Sequence, residues 1–279
     1  MKIIDCRLRP PIGKYADNFL FEMIEKGYLK KTADQHGCSL PQSGKKRSME
    51  LLIKEMDAQG VECGYFAIRQ SQECGNEIAE ELAEKYPGRF KSFIGIDPYG
   101  DKEKYTEDIE YYVKKGIAAG IAMEPAIYGK PWYADDKMVY PIYQYCRDNQ
   151  IPVMLTYGGR TPADATYYLP APIEHVAQDF PELRMLLLHG GWPWVVPNCS
   201  LALNYKNVYL CPDMYLVRAP GHRDYIDAAN YFLSDKLMFG SAYPILSIED
   251  AVEFYLSCGI KEEVLPNIMY NNALQAITF

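Results

Sequence analysis

The sequence contains eight cysteines but no C-x-x-C pair, so it offers no basis for a zinc-ribbon or thioredoxin-type site. Cys6, Cys38, Cys63, Cys74, Cys146, Cys199, Cys211 and Cys258 are scattered along the 279 residues. Basic charge is also in short supply. The 29 Lys and Arg stand against 37 Asp and Glu, a net charge of −8, which leaves no field suited to DNA or RNA. No apolar run approaches the roughly 18 residues that a membrane span needs. No signal peptide is evident, because Met1-Lys2 runs directly into an apolar strand. These absences lead us to expect a cytoplasmic protein with reduced thiols and with neither a nucleic-acid nor a membrane partner. Low-complexity segments and interdomain linkers are missing as well, which argues for one domain over residues 1–279.

What is present is a regular alternation. Apolar runs of strand length recur as KIIDCRL (2–8), VECGYFAI (61–68), FKSFIGI (90–96), AAGIAM (118–123), PVMLT (152–156), RMLLLH (184–189), NVYLCP (207–212) and KLMFG (235–239, to within one residue). The stretches between them repeat apolar residues at three-to-four spacing, the pattern of an amphipathic helix, and several end in Gly or Pro. Eight strands alternating with helices predict parallel β/α units, and the right-handed crossover rule favours their closure into a (β/α)8 TIM barrel. A doubly wound open sheet is the alternative, but no G-x-G-x-x-G follows the first strand. Residues 14–46 exceed the repeat and read as an insertion after strand 1, with a helical piece DNFLFEMIEKGYLKK, a polar loop DQHGCSLPQSGKKR, and a role as lid or oligomer contact. A last helix, KEEVLPNIMYNNALQAI, closes the chain.

A barrel of this kind builds its site from the C-terminal ends of its strands. Those ends supply Arg7, Arg9, Arg69, Asp97, Glu124, Thr156, Tyr157, His189, Asp213, Ala242 and Tyr243, with Arg160 in the loop after strand 5. Three of the first four charged groups are cationic although the chain is acidic. Arg7 and Arg9 stand two residues apart, so they project from the same face of the first strand. Arginine matches carboxylate bidentately, and a small carboxylate is therefore the expected partner. Asp97 and Glu124 read either as partners of these arginines or as turn caps, and Asp5 as an internal counter-ion. His175 falls within a helical pattern, and His36 and His222 fall in loops.

Four stretches, IIDCRLRP, IPVMLTYGG, LLLHGG and FGSAYP, resemble in order and spacing those of the amidohydrolase superfamily, in its amidohydrolase-2 branch. The resemblance implies a (β/α)8 barrel and a hydrolase or decarboxylase activity. The family pattern places histidines where this chain has Arg7, Arg9 and Thr156, and an aspartate at Ala242; His189 alone matches. Zinc needs three or four close N, O or S ligands, and guanidinium repels a divalent cation. We therefore expect no metal and no cofactor. A metal-independent hydrolase or lyase, including a decarboxylase, acting on a small carboxylate-bearing cyclic or aromatic compound is the first expectation, a chemistry resembling that of the 2-pyrone-4,6-dicarboxylate lactonases. His189 would be the acid/base, Asp213 a second base, and Tyr157 and Tyr243 would supply hydroxyl donors. Arg7, Arg9, Arg69, Thr156 and Arg160 would bind substrate, in a chain that is also a candidate homo-oligomer. The alternative is a non-catalytic small-anion-binding or regulatory protein on the same barrel.

Overall fold

A computed structural model describes residues 1–69, 75–127, 130–160 and 164–278; Cys74 lies outside the described residues. Seven strands run in sequence order: β1 (Ile3–Asp5), β2 (Val61–Ala67), β3 (Phe90–Gly95), β4 (Gly120–Met123), β5 (Val153–Thr156), β6 (Met185–Leu188) and β7 (Val208–Cys211). Each pairs with the next in parallel. Their residues are almost all buried, as a parallel sheet covered on both faces requires. Alternate residues such as Ile4, Cys6, Tyr65, Phe93, Met154, Leu186 and Tyr209 fill the barrel interior, while Val153, Leu155, Met185 and Leu187 belong to the larger core beneath the helices. The helix Asn272–Ile277 lays Ala273 and Ala276 against the interior cluster, and the Tyr65 hydroxyl donates to the Ala273 carbonyl at 2.9 Å. The fold is a TIM barrel. Among the described residues, no helix is long and apolar enough to cross a membrane.

The expected eighth strand is reduced to two isolated bridges, Leu210 with Leu237 and Leu8 with Tyr243, on either flank of the segment from Leu237 to Tyr243. Backbone hydrogen bonds nevertheless close the barrel on both sides: the Leu210 N–H donates to the Lys236 carbonyl (3.1 Å), the Met238 N–H to the Leu210 carbonyl (2.8 Å) and the Cys6 N–H to the Phe239 carbonyl (2.9 Å). Beyond them Ala242 adopts a left-handed conformation, φ 60°, which turns the chain away from an extended path. A buried carboxylate braces this closure. Asp5 Oδ1 accepts the backbone N–H of Ser241 at 2.9 Å and that of Arg7 at 3.0 Å, and Oδ2 accepts the Ser241 hydroxyl. Asp5 therefore ties the first strand to the last segment, and the Arg9 guanidinium adds a lesser electrostatic contribution to holding its charge.

The insertion also departs from expectation. Its helical piece is two helices, Phe19–Glu25 and Tyr28–Gln35, divided at Gly27, whose φ of 75° ends the first helix. Asn18 caps the first by accepting the Leu20 N–H at 2.8 Å. The polar loop contains a short helix, Gln42–Lys46. Leu20, Phe21, Ile24 and Leu29 turn inward and hold these helices on the barrel.

The closure makes a prediction. Ser241→Ala deprives a buried carboxylate of one hydrogen bond and should lower the free energy of unfolding by about 1–3 kcal/mol, measured by urea denaturation.

Candidate active site

Arg7 and Arg9 follow β1, Arg69 lies two residues beyond β2, Glu124 directly follows β4, and His189 directly follows β6. Arg7, Arg9, Arg69, Arg160 and His189 meet at one cavity of about 500 Å³ over the C-terminal mouth of the barrel. The insertion contributes Phe19, Leu20, Met23, Leu29 and Thr32 to its wall, and Ile127, Met214, Tyr215 and Ile245 complete the lining. The cavity is thus cationic on its barrel side and apolar on its insertion side.

Leu8 separates the two strand-1 arginines and packs the other way, onto the bare backbone of Gly64. Arg7 Nη2 lies 3.4 Å from His189 Nε2, and its Nε 3.9 Å from Asp213 Oδ2. Arg9 Nη1 donates to the carbonyls of Ala242 (3.0 Å) and Tyr243 (2.8 Å). Arg69 Nε pairs with Glu124, which settles the role of that acid, whereas Asp97 accepts the Tyr99 N–H at 3.0 Å and caps a turn.

His189 and Asp213 form a unit. Asp213 Oδ2 accepts the His189 backbone N–H at 3.2 Å and lies 2.7 Å from its Nδ1. Nδ1 is not aligned for a hydrogen bond, but a carboxylate only accepts, so the close approach favours the tautomer with its proton on Nδ1 and the Nε2 lone pair towards Arg7. His189, Asp213 and Ala242 all adopt left-handed backbone angles (φ 65°, 43° and 60°) just beyond consecutive barrel strands. Three such turns by non-glycine residues are a strain of the kind that clusters at functional sites. Tyr215 lies edge-on to the imidazole, centroids 5.2 Å apart, and stacks on Trp192 at 4.7 Å. Its hydroxyl accepts the Arg160 N–H at 2.9 Å. Gly159 is needed there: its φ is 98°, and a Cβ would sit 3.0 Å from that hydroxyl and 3.1 Å from His189 Cδ2.

Several expected site residues are placed elsewhere. Thr156, Tyr157 and Tyr243 are not among the described residues lining the cavity. The Tyr157 hydroxyl donates to the Leu169 carbonyl, and the Tyr243 hydroxyl meets Ser43 Oγ at 2.8 Å; burial pushes both phenols well up. Asp213, expected as a second base, is fully buried behind His189 and also does not line the cavity. The histidines outside the site are all engaged: His36 with the Val217 carbonyl, His175 with Asp135 and His222 with the Ala219 carbonyl. Tyr215 was missed, although it stands two residues after Asp213 in the loop that follows β7.

Burial and the neighbouring Arg7 push the Arg9 guanidinium down to about 9, which leaves it protonated at neutral pH. Burial likewise lowers His189, outweighing Asp213, which favours its charged form. The imidazole is therefore neutral at pH 7. The folded state binds fewer protons there than the unfolded chain, so stability should fall as the pH drops below about 6.5 and level off above it. An NMR titration of the His189 ring should show a midpoint below 6.5; one above it would contradict the neutral form.

The amidohydrolase family model (Amidohydro_2) matches residues 54–277. Gamma-resorcylate decarboxylase of Polaromonas sp. (strain JS666 / ATCC BAA-500) is 22% identical over 81% of this chain and 82% of that protein. An uncharacterized TIM-barrel protein from Bordetella bronchiseptica is 34% identical, covers 99% of this chain and 98% of its own, and superposes with a TM-score of 0.91. A dihydroxybenzoic acid decarboxylase from Polaromonas sp. JS666, with bound manganese and the inhibitor 2-nitroresorcinol, is 16% identical over 99% of this chain and 96% of its own, at a TM-score of 0.70. Among the described residues no group of three or more His, Cys, Asp or Glu is placed to hold a metal ion. The His189 nitrogen left free by Asp213 already faces a guanidinium at 3.4 Å. With the family model matching most of its length, the chain belongs to the amidohydrolase family.

Proposed function

We propose that the protein is a metal-independent lyase, a decarboxylase of small aromatic carboxylates. The observation that carries this reading is the cavity in which four guanidiniums and one neutral imidazole face an apolar wall. An aromatic ring fits the wall of Phe19, Leu20, Met23 and Ile127, and its carboxylate fits the arginines. The activities named for the relatives, gamma-resorcylate and dihydroxybenzoic acid decarboxylation, support the same class. A hydrolase of a cyclic carboxylate would use the same groups, but no activated water nucleophile is supplied by them.

In decarboxylation the bond between the ring carbon and the carboxylate carbon breaks, CO2 leaves, and a proton takes its place on the ring. On an ortho-hydroxybenzoate, His189 Nε2 takes the phenolic proton and returns it to the ring carbon as the C–C bond weakens; the product phenolate recovers a proton from solvent. Asp213 holds the imidazole in the tautomer this requires. Arg7 and Arg69 stabilise negative charge on the ring oxygen. Arg160, Thr156, Tyr157 and Tyr243 are assigned no direct step. A cytoplasmic location belongs to the same proposal, supported by seven described cysteines that are all free.

A second reading, a non-catalytic binder of small anions, is favoured by one observation: His189 Nε2 faces Arg7 in place of open cavity. CO2 release from gamma-resorcylate and other hydroxybenzoates separates the two. We expect turnover that survives dialysis against EDTA, and a loss of about 100-fold or more in kcat for His189→Ala. Activity lost with EDTA and restored by manganese would overturn metal independence. Stabilisation by these acids in a thermal melt, without CO2 release, would establish the binder.

A further inference from the structure

The cavity is larger than one ring needs. An apolar cavity of about 150 Å³ already accommodates benzene, and this one, at about 500 Å³, is roughly three times that size. Phe19, Leu20, Met23 and Ile127 are enough to cover a ring, which leaves Leu29, Met214 and Ile245 as a further apolar stretch of the wall. These three come from the second insertion helix, the loop after β7 and the segment beyond the last bridge. Hydrogen bonds beside them fasten those segments together. At the end of the helix His36 Nδ1 lies 2.5 Å from the Val217 carbonyl, and Arg218 donates to the His36 carbonyl at 2.6 Å. The Ser247 N–H donates to the Ser39 carbonyl at 3.0 Å, and Asp250 accepts the Ser39 N–H at 2.6 Å. The wall is therefore built into the fold, so a ligand that fills it need not order the insertion first.

The direction of the ring decides what reaches this wall. Carboxylate and ortho hydroxyl meet the guanidiniums and His189, so the opposite edge of the ring points away from the cations. That edge carries the positions para to the carboxylate and para to the hydroxyl. A bare edge leaves apolar wall in water, whereas a hydrocarbon group there buries it. We propose that the natural substrate bears an apolar substituent on that edge, an alkyl chain of several carbons, seated against Leu29, Met214 and Ile245. The inference rests on the decarboxylase reading for the direction of the ring, but the binding preference it states does not require turnover.

4-Pentylsalicylate and 5-pentylsalicylate test it against salicylate, since each adds only the chain, para to the carboxylate or para to the hydroxyl. Burying one methylene is worth about three- to fourfold in affinity, so in calorimetric titrations the better isomer should bind about thirtyfold or more tighter than salicylate. The gain should build stepwise through the methyl and propyl homologues. Ile245→Thr, which keeps the branched shape but makes part of it polar, should lower the pentyl-to-salicylate affinity ratio at least about threefold. Pentyl isomers that both bind no tighter than salicylate overturn the proposal. So does failure of all three acids to bind, or a ratio that Ile245→Thr leaves unchanged. Should that variant fail to fold, the wild-type homologues decide: a stepwise gain at one site per chain upholds the proposal and a flat series overturns it. CO2 assays on the same acids separate the two ideas. Preferential binding of a pentyl isomer without CO2 release sinks the decarboxylase and leaves the alkyl pocket standing. Release from salicylate with no gain from the chain does the reverse.

Discussion

The buried carboxylate of Asp5 is the contact on which this site depends. A barrel must join its last segment to its first strand, and here a short run of backbone hydrogen bonds, among them Cys6 N–H to the Phe239 carbonyl at 2.9 Å, makes the join. Asp5 reinforces it by accepting from the Ser241 N–H, the Ser241 hydroxyl and the Arg7 N–H. Burial penalises its charge and these donors repay part of that penalty. The same contact fixes the backbone at Arg7 and brings the carbonyls of Ala242 and Tyr243 within reach of Arg9. Closure of the fold and placement of both arginines are one event.

From that junction the electrostatics of the mouth follow. Guanidinium groups supply positive charge without the three or four convergent donors that a divalent ion demands. They do so only if acids and carbonyls hold them, and Asp213, Glu124 and the carbonyls of Ala242 and Tyr243 fill that role. The cost appears as cations whose protonation is weakened by burial and by one another, and as an imidazole driven to its neutral form. A neutral imidazole whose Nδ1 faces Asp213 turns its Nε2 lone pair towards Arg7, and it is suited to accepting a substrate proton once a ligand takes the place of that contact.

Much of this was legible in the residues. The period of strand and helix, and the apolar strands that a two-sided parallel sheet requires, identified the barrel before any contact was known. Arg7, Arg9, Arg69, Arg160 and His189 were found because strand-end position and side-chain type are both local properties of the chain. Thr156, Tyr157 and Tyr243 satisfied the same positional rule and still do not line the cavity. The two tyrosine hydroxyls found partners in Leu169 and Ser43, residues whose proximity no spacing reveals.

The sequence by itself therefore determined the architecture and the sign of charge at the mouth, because hydrophobic period and residue identity are written along the chain. Tertiary structure alone decided that Asp5 braces the barrel's closure, that Asp213 stands behind His189, and that Arg9 donates to the carbonyls of Ala242 and Tyr243. Those outcomes turn on left-handed backbone angles at His189, Asp213 and Ala242 and on contacts between residues as far apart as Asp5 and Ser241. Such angles and contacts are set by packing of the whole chain, which residue type and local spacing do not specify.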